Sequence, residues 1–133
     1  MSWRETWRAT VASFLREVRD PAQPASSAAP DALVDAIAAA RREVAALEHQ
    51  IREVVERAAG EDEAAADCAR RAAQARRIAD HDTAVVADRF GGQHRARAEV
   101  LARKQVVLRD ELGLARAALN GLLDLARPEG LDA

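Results

Sequence analysis

Cys68, His94 and the adjacent Asp67 are the residues of this 133-residue chain whose types could assemble a metal site. Thiolate, imidazole and carboxylate are all zinc ligands, but a closed site takes about four donors. No second Cys or His converges on these three, so they predict a small core thiol beside an imidazole, with no metal and no cofactor. His81, between Asp80 and Asp82, is a second candidate, because flanking carboxylates favour the imidazolium near neutral pH. Its setting predicts a solvated turn. The chain carries no nucleophile elbow, phosphate-cradling glycine loop or carboxylate pair, and Gly91-Gly92 does not extend to GxGxxG. These residues predict a protein that is not an enzyme.

The aromatic residues point elsewhere. Of two Trp and two Phe, only Phe90 lies beyond position 14. Trp3, Trp7, Val11, Phe14 and Val18 follow steps of four, four, three and four, with Leu15 widening the stripe, and Arg4, Arg8, Arg16 and Arg19 take the opposite side. This is the period of an amphipathic helix over residues 1–19. Rings on one face and guanidinium groups on the other suit an anionic membrane surface, where rings sit at headgroup level and Arg meets phosphate. The same face could also dock on a partner protein or fold back on its own helices.

Residues 20–31 include Pro21, Pro24 and Pro30 among Ser and Ala, which predicts a linker, with Asp31 capping the helix that follows. From Leu33 a heptad runs through Ile37, Ala40, Val44, Leu47, Ile51, Val54 and Ala58. After a polar miss at Glu61 it resumes at Ala65, Cys68, Ala72, Ala75 and Ala79. A second seam passes through Ala84, Ala87, Gly91, His94, Ala98, Leu101, Gln105, Leu108, Leu112, Ala115, Leu119, Leu122 and Ala126. Between the two, Asp80-His81-Asp82-Thr83 predicts a turn, because Asp and Thr side chains accept from nearby amides and cap a new helix.

These elements predict an all-α fold: a long antiparallel helical hairpin over residues 32–127 with its tip near 80–83, then a tail at 128–133. Its arms would be ~70 Å long at about 1.5 Å per residue. Seam residues whose numbers sum to 162 or 163 should then face each other. Val44 would meet Leu119, Ile51 Leu112, Val54 Leu108, Ala72 Gly91 and Cys68 His94, with Leu47 and Leu101 in the same seam. A three-helix bundle that turns at Gly60 and at Gly91-Gly92 is the alternative.

A net charge of -2 with interleaved signs excludes the basic patch that nucleic acid requires. A single cysteine, no apolar leader after Met1 and no apolar run near ~20 residues predict a cytoplasmic chain that does not span a membrane.

Two stretches carry a family resemblance. Pro30-Asp-Ala-Leu-Val-Asp-Ala-Ile37 resembles the segment that enters the first hairpin helix of the phage-shock protein A and ESCRT-III-like membrane-remodelling family. Asp80-His-Asp-Thr-Ala-Val-Val-Ala-Asp-Arg-Phe90 resembles its acidic hairpin tip and Ala-rich second arm. The resemblance implies a peripheral membrane protein of the inner membrane face that self-associates or pairs with another helical protein. Gly91-Gly92 departs from the family's second arm, and the family's later polymer-building helices have no counterpart in these residues. That implies a short relative or an accessory to a membrane-maintenance system.

Overall fold

The computed structural model describes residues 5, 8, 9, 12 and 29–127, and two long helices account for nearly all of them. Helix α1 runs Ala29–Arg77 and α2 runs His81–Ala126, forming an all-α helical hairpin. Gly60 lies inside α1 and Gly91-Gly92 inside α2, so the three-helix alternative is overturned. The reason is energetic. A glycine inside a helix costs only about 1 kcal/mol, less than abandoning a heptad that continues on both sides.

α1 begins two residues earlier than its predicted cap. Asp31 therefore sits in the first turn, where its charge complements the helix dipole, and residues 29–31 belong to the helix, not to a linker. Pro30 is tolerated there because first-turn amides have no intrahelical acceptor to lose.

The connection is shorter than predicted and lies earlier, at Ile78–Asp80; His81, Asp82 and Thr83 form the first turn of α2. Ala79 takes a left-handed conformation with φ 60°. The Asp80 amide donates to the Ala75 carbonyl at 2.8 Å and the Ala79 amide to Arg76 at 3.1 Å, closing the last turn of α1. Asp80 then caps α2: its carboxylate accepts from the Thr83 amide at 3.2 Å and from the Thr83 hydroxyl at 2.6 Å. Thr83, its side chain and the Asp80 cap lie as the residue types implied, displaced to the end of the turn. One residue ends one helix and starts the next.

The chain forms two compact units. In the first, made of Met1–Ala46 with Leu112–Ala133, Ala40 and Leu122 are fully buried against Leu33, Ala36, Ile37, Ala118 and Leu119. Val44 is half-buried and Leu112 and Ala115 are buried. Glu43 is buried as well, at 4% exposure.

In the second unit, Leu47–Glu111, the buried apolar residues are Leu47, Val54, Ala65, Ala72, Ala75, Ala84, Leu101 and Leu108, with Ile51 half-buried. Small residues fill the tip half of this seam, which lets the backbones come close. A Cβ on Gly91 would stand 3.2 Å from the Cys68 Cβ.

That contact corrects the predicted register. Gly91 lies against Cys68 and Ala65, not opposite Ala72. The numbers 91 and 68 sum to 159, and those flanking the tip, 78 and 80, sum to 158, against the predicted 162 or 163. Seam residues consequently interleave instead of meeting head-on. Leu122 packs with both Leu33 and Ala40 in one unit, and His94 lies with both Glu61 and Cys68 in the other.

Candidate functional site

In the Leu47–Glu111 unit, two polar positions of the seams find each other. Glu61, the polar miss of the first heptad, and His94, the histidine of the second, meet at 2.6 Å between Oε2 and Nδ1. Both side chains are about one-quarter exposed. An ionised carboxylate only accepts, so the Nδ1 proton makes the bond. Cys68 is a half-buried free thiol that shares a shallow groove of about 390 Å³ with His94, Arg71, Val86, Ala87 and Phe90. The expected juxtaposition of Cys68 and His94 is thus met only as neighbours in a groove, since the ring nitrogen bonds Glu61. Among the described residues no three His, Cys, Asp or Glu side chains are grouped so as to hold a metal ion.

At the tip, His81 is exposed at the start of α2 next to the Asp80 cap. The Asp80 carboxyl is held below its ordinary range, first by the hydrogen bond from the Thr83 hydroxyl, then by the one from the Thr83 amide, with a smaller contribution from His81. Arg76 of α1 pairs with Asp88 of α2 on the outside of the same region. Both are half-exposed, so solvent screening leaves the pair a small role in stability.

A second feature was missed by the heptad reading. Val86, Phe90, Val100 and Val107 are 52%, 51%, 54% and 56% exposed, and they share one line on α2. Written in full the line is Val86, Phe90, Gln93, Arg97, Val100, Lys104 and Val107, at alternating steps of four and three beside the buried seam. It is a second heptad facing outward. The signal was in the sequence, but Gln93, Arg97 and Lys104 interrupt it. Facing α1, it borders two grooves: the one at Cys68 and His94, and another of about 290 Å³ lined by Arg57, Glu61, Ala96, Arg97, Val100 and Leu101.

The predicted seam residues Leu47, Val54, Leu101, Leu108 and Leu112 are buried, and Val44, Ile51 and Leu119 are half-buried. Of the predicted lipid- or partner-binding stripe, only Arg8 is described, helical and partly buried; the neighbouring helical residues Glu5, Ala9 and Ala12 are exposed. Trp3, Arg4, Trp7, Val11, Phe14, Leu15, Arg16, Val18 and Arg19 lie outside the described residues, as do the linker at 20–28 and the tail at 128–133. No helix among the described residues is long and apolar enough to cross a membrane. In comparisons with known proteins, no family model matches this chain, and neither a curated protein nor a solved structure matches it.

Proposed function

We propose that this chain is a non-catalytic, peripheral membrane-binding coiled-coil protein, in which the hairpin is a helical scaffold and the N-terminal stripe meets anionic lipid. One observation carries the reading. Among the described residues the buried apolar positions of the hairpin are Ala, Val and Leu, with no Trp or Phe, while three of the chain's four aromatic residues stand in its first fourteen positions. Rings grouped in sequence outside the hairpin seams suit a second, interfacial surface. Trp3, Trp7, Phe14 and Leu15 would insert at the interface, and Arg4, Arg8, Arg16 and Arg19 would meet headgroups, a contribution that salt weakens. The resemblance to the phage-shock protein A and ESCRT-III-like family fits this reading and would make the chain a short accessory at the inner face of a membrane.

Liposome co-sedimentation of the full chain tests it. Binding to anionic vesicles should fall when Trp3 and Trp7 are both changed to Ala, and unchanged binding rejects insertion.

The outward heptad of α2 favours a second reading, a helical adaptor that pairs with another helix. Exposed apolar residues repeated at coiled-coil spacing are what such pairing requires. Binding would then tolerate the loss of Trp3 and Trp7 and need no anionic lipid.

A further inference from the structure

We infer that the outward face of α2, from Val86 to Val107, docks an acidic amphipathic helix of a partner protein. This deepens the adaptor reading and rests on it. Val86, Phe90, Val100 and Val107 are each more than half exposed and hold four of the seven positions of a line with a 3.5-residue period, about 32 Å long. A period of 3.5 is the spacing at which a second helix stays in contact along its length, because its own side chains recur in step. The grooves beside the line at Cys68 and at Leu101 supply recesses for the incoming side chains.

Charge selects the occupant. Between Thr83 and Val107 the outward face of α2 carries four charged residues, Arg89, Arg97, Arg103 and Lys104, and all are basic. Of the acidic residues in that stretch, Asp88 is paired with Arg76, and Glu99 stands one turn before Arg103, off the line itself. Across the grooves α1 adds Arg57, while three of its carboxylates are engaged: Glu61 by His94, Asp67 by Arg70 and Arg71, and Glu53 by His49.

Two occupants from this chain fit badly. A second copy docked through the same face would set basic band against basic band. The N-terminal stripe is backed by Arg4, Arg8, Arg16 and Arg19, which are also basic. A helix with Leu or Val at a and d and Glu or Asp at the flanking positions satisfies both the apolar line and its cations.

The test uses the full chain and two synthetic probe peptides of about four heptads, identical at Leu a and d positions and flanked at e and g by Glu in one and by Lys in the other. Like charges at e and g keep each probe from pairing with itself. The Glu peptide should bind at least about tenfold more tightly than the Lys peptide. Arg97→Glu with Lys104→Glu should reverse that preference, and Val100→Glu should abolish binding of both, with helix content and melting unchanged because the site is exposed.

Equal binding of the two peptides overturns the acidic partner but leaves helix pairing standing, whereas binding of neither overturns helix pairing on this face altogether. A dimer that Val100→Glu dissociates in sedimentation overturns the proposal in favour of a second copy. Anionic vesicle binding lost in Val100→Glu but kept when Trp3 and Trp7 are Ala overturns it in favour of lipid.

Discussion

Glu61 Oε2 and His94 Nδ1 are 2.6 Å apart across a seam that is otherwise mostly alanine and glycine at that level. Each residue interrupts its own heptad, and the two interruptions coincide. A polar pair inside a coiled coil costs stability but penalises every register in which its members face apolar neighbours. The hydrogen bond therefore reinforces the pairing of α1 and α2 heptads that the turn sets, a choice that alanine periodicity leaves open.

Glu61→Leu or His94→Leu alone strands a partly buried polar partner and should destabilise the hairpin by about 1–3 kcal/mol. The double replacement removes both polar groups and should recover most of that loss. Denaturant melts of the four proteins measure the coupling, and additive single effects would show that the pair does not interact.

Three glycines of identical chemistry should respond in opposite directions. A side chain at Gly91 meets the Cys68 Cβ at 3.2 Å, so Gly91→Val overpacks the closest approach of the helices and should cost about 1–3 kcal/mol. Gly60→Ala adds a methyl with nothing within 4 Å, and Gly92→Ala meets only the flexible Arg95 end at 3.9 Å. Each should gain up to about 1 kcal/mol from helix propensity. Thermal melts of the single variants decide this.

Ala79 holds a left-handed conformation, φ 60°, that glycine adopts without a Cβ penalty. Ala79→Gly should stabilise the chain by about 0.5–1 kcal/mol, and Ala79→Val should destabilise it. A glycine variant that melts lower than the parent would contradict this account of the tip.

The Asp80 cap carries a pH dependence. Its folded-state carboxyl titrates below its ordinary value of 3.8 because the ionised form accepts from Thr83, so the cap's contribution is complete above 3.8 and disappears as pH falls through the lower, folded value. Asp80→Ala should lower the melting temperature at neutral pH. The gap between variant and parent should close below pH 3.8 in scans of both proteins.

The helices, their phases and the capping pair were legible in residue types: apolar residues at steps of three and four name the buried seams, and Asp80 followed by Thr83 marks a helix start. The axial level was not legible. A heptad repeats itself, so every shift satisfies it equally, and the level is set by where the turn closes. Here that happens at Ala79, a residue type that does not advertise a left-handed conformation. The outward line on α2 was obscured because polar residues interrupt it at Gln93, Arg97 and Lys104, and the burial of Glu43 was not legible because pattern alone does not reveal which flanking position the neighbouring helix covers.

A connection that both ends α1 and begins α2 within Ile78–Asp80 has no slack to absorb a change in chain length. One residue added within the helical arms beside it rotates everything beyond by about 100°, turning the buried line toward solvent. Length variants of this protein should therefore be quantised, surviving insertion or deletion near the tip only when whole heptads change in both arms together, as gear wheels mesh only in whole teeth.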